Sequence, residues 1–293
     1  MTLLDTHSGP FAAPATLSTT SDAAPAWRPA TRHLTVPGGR IAYDDTGGAG
    51  PLVVALPALG DLRSSYRFVA PRLAAAGCRV VTMDLRGMGG SSVGWDDHSA
   101  TAIGGDLLAL LGALDAGPAV VVGNSVSAGA AVWAAARAPE RVRGLVLLGA
   151  FVREPKLSGA MRAILKAVLS PPWGRLGWLA LYGHEFARKP ADFAAQRAAL
   201  AANLRESGRM GGLRAMFWAP KGAVEAALAE VRAPALVVMG ARDPDFADPA
   251  REAAEVAAAL RGEARVLDGV GHYPQAEAPE EVAEMALRMA RGR

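Results

Sequence analysis

Residues 120 to 129 read VVVGNSVSAG. An apolar run meets Gly123, and Ser125 then stands among small residues ahead of a helix-type segment. Gly123-Asn124-Ser125-Val126-Ser127 is a G-x-S-x-S form of the G-x-S-x-G turn that presents a serine nucleophile between a strand and a helix. Small residues are needed two before and two after the serine, because strand and helix crowd that turn. Gly123 meets the need, and Ser127 stands where the pattern has glycine. The Val126 N–H lies at a helix N-terminus and points where negative charge develops on an attacked carbonyl. Taken alone, the segment also reads as a plain strand-to-helix connection capped by Asn124 or Ser125.

A serine hydroxyl is a weak nucleophile. It needs a base, and the base needs an orienting acid. The chain has five histidines. His7 lies in the N-terminal arm, His33 in the first strand, His98 in the polar loop GWDDHSA, and His184 in a long helical insertion. His272 lies in LDGVGHYPQAEAPE, between the last strand and the last helix, with Gly269 and Gly271 on its N-terminal side. A loop at that end of a sheet is where ligand chemistry gathers in open α/β folds. The acid follows another strand: LVVMGARDPDFADP offers Asp243, Asp245 and Asp248. Asp248 reads as the N-cap of the next helix, with Pro249 in its first turn. Asp243, at the strand's end, is the first candidate, and Asp245 the second.

The elements that must position these residues follow from periodicity. RHLTVPGGRIAYDDTG reads as a hairpin about Pro37-Gly38-Gly39. PLVVALP, CRVVTMD, PAVVVGN and VRGLVLLGA are continuous apolar runs, as expected of strands covered on both faces. Helix-period segments lie between them. Strand and helix thus alternate from Leu52 to Ala150, which predicts a mostly parallel sheet with helices on both faces. From Phe151 to Pro234 only helix and loop are read. The alternation resumes with PALVVMGARD, DPAREAAEVAAALRG, EARVLDG and PEEVAEMALRMARG. The expected organisation is an arm at 1–30, an α/β core at 31–150 and 231–293, and a helical insertion at 151–230.

Composition narrows the field. The chain has 293 residues, 51% hydrophobic and 20% charged, with a net charge of +3. That is a normal globular balance. Basic residues are spread out with no block of like charge, so no nucleic-acid partner is expected. The arm is rich in Ala, Pro, Ser and Thr and lacks a signal-peptide pattern, so it is expected to be poorly structured. No window has the ~20 apolar residues of a membrane span. The lone Cys78 forms no intrachain disulfide and reads as a small buried hydrophobe. Metal and nucleotide motifs are missing: there is no H-E-x-x-H, no Cys/His cluster and no phosphate-binding G-x-x-x-x-G-K-[ST]. The expectation is a cytoplasmic protein acting on a small molecule, with no cofactor, no metal, no nucleic acid and no membrane, and with homo-oligomerisation left open.

Four segments together resemble the α/β-hydrolase-fold serine hydrolases with a helical cap: LPALGDLRSSY, MDLRGMGGSS, VVVGNSVSAG, and the pair GARDPD with GVGHYPQAEAPE. The chain order Ser125, Asp243, His272 is that family's order. The resemblance runs from about Thr31 to the C-terminus. It implies a catalytic Ser125–His272–Asp243 triad and an oxyanion hole made by the N–H groups of Leu59 and Val126. It implies that the insertion is a cap, whose Trp178, Met216 and Trp218 would line an apolar pocket. Pro57-Ala58 stands where members often have His-Gly. Asp84 and Arg86 fall in a loop that is mainly structural. A serine at the turn disfavours haloalkane dehalogenases and epoxide hydrolases, which use aspartate there. The implied function is hydrolysis of a small or medium apolar ester or lactone through an acyl-enzyme. The alternatives are a cofactor-free non-hydrolytic enzyme of perhydrolase or lyase type, or a ligand-binding protein with a slow triad.

Overall fold

A computed structural model describes residues 29–155 and 157–292. The arm expected at 1–30 lies, apart from Pro29 and Ala30, outside the described residues. The first half holds β1 (Thr31–Val36), β2 (Gly39–Asp45), β3 (Leu52–Leu56), α1 (Val69–Ala75), β4 (Arg79–Met83), α2 (Ala100–Leu114), β5 (Ala119–Asn124), α3 (Val126–Arg137) and β6 (Val142–Leu148). A helical segment follows: α4 (Gly159–Val168), α5 (Gly174–His184), α6 (Phe193–Asn203), α7 (Arg209–Trp218) and α8 (Gly222–Ala227). The chain closes with β7 (Ala235–Gly240), α9 (Pro249–Leu260), β8 (Glu263–Leu267), α10 (Pro274–Glu277) and α11 (Pro279–Ala290).

The eight strands form one sheet in the order β1-β2-β4-β3-β5-β6-β7-β8. β1 and β2 form the antiparallel hairpin, β2 joins β4 antiparallel, and all other pairs are parallel. This is the mostly parallel sheet expected from the alternation, and the α/β-hydrolase fold that the resemblance implies. The all-apolar strands still obey the two-residue period of a pleated sheet. Val54, Val121, Leu145, Leu147 and Val237 face one core, shared with α2, α3 and α9. Their neighbours Val53, Val120, Val146, Leu148 and Val238 face the other, shared with α1 and α11. A register slip of one residue would exchange the two sets, so helix packing on both faces fixes the strand ends against each other.

Those strand ends matter because β5 and β7 carry the candidate residues at their C-terminal ends. Helix caps set the same boundaries. Ser99 accepts from the Ala102 N–H to start α2, and Asp248 accepts from the Arg251 N–H to start α9, with Pro249 in its first turn. Asp84 and Arg86 are tied down as struts: Asp84 pairs with Arg63, and Arg86 makes a two-pronged pair with Asp106 at 2.8 Å. Cys78 is buried. Among the described residues no helix is long and apolar enough to cross a membrane.

The α2–α3 contact offers a direct test of this packing. A methyl at Gly104 would sit 2.6 Å from the Trp133 ring and 2.9 Å from the Ala130 carbonyl. Gly104→Ala is expected to cost about 1–3 kcal/mol through overpacking. At the next residue, Gly105, a methyl meets nothing within 4 Å. Gly105→Ala is expected to gain roughly 0.5–1 kcal/mol from helix propensity. Urea unfolding of the two variants checks the pair, and equal midpoints would overturn the packing described.

Candidate active site

Ser125 is the single residue between β5 and α3, at φ 59 and ψ −121. Few residues with a Cβ hold a positive φ, so the turn is strained and must be held by its surroundings. The Ser125 N–H donates to the Leu148 carbonyl at 2.8 Å, and the Ser125 carbonyl accepts from the Phe151 N–H at 3.3 Å. Gly123 is required by close approach: a methyl there would stand 2.5 Å from the Ser127 carbonyl oxygen.

Ser127, the departure from the glycine pattern, is fully buried and has a partner. Its hydroxyl donates to the Pro57 carbonyl at 2.5 Å. Pro57 belongs to the loop that also departs from the resembled pattern. The two departures therefore meet, and their hydrogen bond ties the start of α3 to the loop after β3.

That loop and α3 present two backbone donors. The residues Leu59 and Val126 both line the cavity beside Ser125. Among the described residues no protein acceptor takes either N–H. For Val126 the reason is general, since the first turn of a helix leaves its N–H groups unpaired. Such donors suit a developing oxyanion.

His272 is 3% exposed and packs against the rings of Phe151, Phe246 and Tyr273. Its Nδ1 is 2.7 Å from Asp243 Oδ2, while its Nε2 is 3.8 Å from Asp245 Oδ2. The geometry thus separates two acids that spacing leaves as rivals. Asp243 is buried at the end of β7 and orients the ring; the partly exposed Asp245 stands on the cavity side. Among the described residues no hydrogen bond joins Ser125 to His272, but both line the same cavity.

Two backbone contacts fix the histidine loop. The His272 N–H donates to the Glu185 carbonyl at 2.8 Å, and the His272 carbonyl accepts from Asn124 Nδ2 at 3.0 Å. A methyl at Gly271 would stand 2.3 Å from the Glu185 carbonyl oxygen, so only glycine admits the helical segment this close.

The local charge is unusual. Ligand-type atoms of Glu185, Asp243, Asp245 and His272 lie within 4.8 Å of one another. Burial favours the neutral imidazole, but the Asp243 charge and hydrogen bond, with Asp245 and Glu185, outweigh it and push His272 up to about 10. Burial and the neighbouring Asp245 push Glu185 up to about 8. Burial also raises Asp245, against the pull of His272. One Glu185 oxygen, Oε2, is buried without a hydrogen-bond partner.

The cavity over Ser125 has a volume of about 200 Å³. Trp178 and Trp218 line it, as do Phe151, Leu181 and Phe217. Trp178 also donates from its indole N–H to the Gly60 carbonyl at 3.2 Å, bracing the Leu59 loop. Met216 does not line it. It faces inward from α7, 1% exposed, in the core beneath the sheet's α3 side. A mostly helical segment buries one stripe of each helix against its neighbours, and Met216 falls on that stripe. A larger groove of about 760 Å³ elsewhere is lined by Arg63, Asp44 and Asp84, whose charges already satisfy one another.

Sequence spacing points to Ser125, Asp243 and His272 but not to Glu185, Asn124 or Gln275. Glu185 follows His184 in a stretch with no chemical pattern. Asn124 was legible only as a helix cap; in the structure its amide is buried and bonds Leu148, His272 and Gln275. His184, by contrast, is exposed.

The alpha/beta hydrolase family pattern matches residues 53–285. BpoC of Mycobacterium tuberculosis, provisionally named a non-heme bromoperoxidase, is 36% identical over 108 residues, 37% of this chain and 41% of that protein. The chain thus matches less than half the length of this curated relative. Est816, described as an N-acyl homoserine lactone degrading enzyme, superposes with a TM-score of 0.71 at 26% identity, over 87% of this chain and 98% of that one. A bromoperoxidase from Bacillus anthracis superposes with a TM-score of 0.76 at 21% identity, over 89% and 100%, a likeness of fold. The family pattern spans most of the sheet and all three candidate residues, and the chain belongs to the alpha/beta hydrolase family.

Proposed function

We propose that the protein is a serine hydrolase of small or medium esters or lactones, working through an acyl-enzyme on Ser125. One observation carries this reading: His272, paired with the buried Asp243 at 2.7 Å, lines the same cavity as the strained Ser125 and as Leu59 and Val126. His272 Nε2 takes the Ser125 proton as Oγ attacks the carbonyl carbon. Leu59 and Val126 N–H groups hold the oxyanion. Asp243 at Nδ1 stabilises the imidazolium, which protonates the leaving alcohol as the C–O bond breaks. A water, deprotonated by His272, then attacks the acyl carbon and releases the acid.

The helical segment serves as the cap in this proposal. Its Trp178, Leu181, Phe217 and Trp218 offer an apolar wall to the acyl or lactone ring. Glu154, Arg162 and Lys221 make another wall polar, so a substrate with one polar end fits best. The lactone option draws support from the likeness to Est816. The relatives named as bromoperoxidases support a second reading, in which hydrogen peroxide replaces water at the acyl-enzyme and a peracid leaves. Product analysis with and without peroxide separates the two.

A fluorophosphonate probe should label Ser125, located by mass spectrometry, and Ser125→Ala should lower kcat/KM on a responsive ester by roughly 10³-fold or more. No adduct on folded protein would sink the proposal.

Ser127 gives a sharper test. Ser127→Gly restores the common pattern yet removes the bond to Pro57. It is expected to lower kcat about tenfold with KM little changed, as lost transition-state positioning does. An unchanged kcat would separate that bond from catalysis.

The third test is pH. A base must be neutral, and the raised His272 is cationic until the pH climbs toward 10. In free enzyme, kcat/KM should therefore rise through neutral pH into the alkaline range. Asp245→Asn removes one raising charge, so the limb should move to lower pH. A profile already flat by pH 7, or one unmoved by Asp245→Asn, would contradict the electrostatics.

A further inference from the structure

We propose that the outer side of α4 and the start of α5 dock the protein on an anionic lipid surface. Six large apolar side chains are exposed among the described residues, and four of them fall here: Met161 at 45%, Ile164 at 56%, Trp173 at 54% and Leu176 at 60%. α4 buries none of its ten residues, although Met161, Ile164 and Val168 recur at helical spacing. A soluble helix normally turns such a stripe inward. The stripe is held out by rigid neighbours: the Trp173 indole N–H donates to the Ala167 carbonyl at 2.8 Å, and the close approach of α5 to the end of α4 needs Gly174 and Gly177.

Charge selects the occupant. From residue 155 to residue 184 the sequence contains no aspartate or glutamate, but it carries Lys156, Arg162, Lys166 and Arg175. Arg162, Lys166 and Arg175 form no ion pair with any described residue. Arg162 and Lys166 lie over the Trp218 ring at 5.6 and 5.8 Å. An apolar stripe with exposed tryptophan, in a stretch whose charged residues are basic, is the composition of an interfacial helix. A second copy of the chain would bring the same positive charges against these, which disfavours a symmetric dimer. α4 also lines the cavity through Arg162 and Leu165, so docking would set the cavity mouth beside the lipid surface. The inference concerns attachment and stands apart from the reaction proposed for Ser125.

Co-sedimentation with vesicles tests it. Wild-type protein should bind phosphatidylcholine vesicles containing phosphatidylglycerol about tenfold or more tightly than phosphatidylcholine alone, and high salt should weaken the binding. The double variant Ile164→Glu, Leu176→Glu should lose about tenfold or more of that binding while keeping its melting midpoint and its activity on a small soluble ester. Should that ester not be a substrate, the melting midpoint and far-ultraviolet spectrum serve as the folding control. Failure of wild type to bind anionic vesicles, equal binding by the double variant, or a wild-type dimer that the variant dissolves would each overturn the proposal.

Discussion

The buried amide of Asn124 holds the site together. It sits at the end of β5, next to Ser125, and is wholly enclosed. Its nitrogen donates to the Leu148 carbonyl on β6 and to the His272 carbonyl, and its oxygen accepts from Gln275 Nε2 at 2.9 Å. Gln275 in turn donates to Ser65. A buried polar group must find partners or bear the full cost of lost solvation. Here the partners come from β6 and from the segment that carries His272 and Gln275, both distant in the chain. The same requirement that stabilises the amide therefore locks the serine turn and the histidine loop into one body.

Around that frame the charges are arranged with little water to screen them. Asp243 is wholly buried and meets the imidazole at Nδ1; Asp245 stands 3.8 Å from Nε2, and Glu185 lies within 4.8 Å of the group. Low polarity strengthens each interaction, so three carboxyl groups move one histidine a long way from its ordinary value. The cost falls on Glu185, whose carboxyl burial and Asp245 push up to about 8 and which keeps one oxygen unpartnered. Such tension is common where a chain gives up stability to shape a site.

The helical segment is fastened to this frame rather than loosely placed over it. Phe186 stacks on Tyr273, the residue after His272, with ring centroids 4.5 Å apart, and Tyr182 meets both at 5.3 Å. Trp178 holds the Gly60 carbonyl, and the Glu185 carbonyl holds the His272 N–H. The segment thus supplies walls to the cavity and braces to both loops at once. Its one loosely packed helix, α4, is also its most apolar exposed surface.

Much of this was legible in the sequence, and the limits have physical causes. Strand and helix periods are local, so the alternation, the hairpin and the run of helices between β6 and β7 could be read residue by residue. Ser125, Asp243 and His272 were legible because each follows a strand, and parallel strands bring their C-terminal ends to one edge. The choice between Asp243 and Asp245 was not, since two residues of spacing decide nothing until the ring's position is known. Met216 and Trp218 shared one helix and one expectation, yet only Trp218 reaches the cavity. The helix's rotation against its neighbours made that difference. Glu185 carried no signal at all, being 87 positions from His272 in the chain and beside it in space. Period determined the layers, and the serine-turn motif with the residues that follow later strands determined the candidates. Which side chains meet, and with what charge, was decided only by tertiary packing, because burial and distance set those energies and neither is a property of sequence spacing.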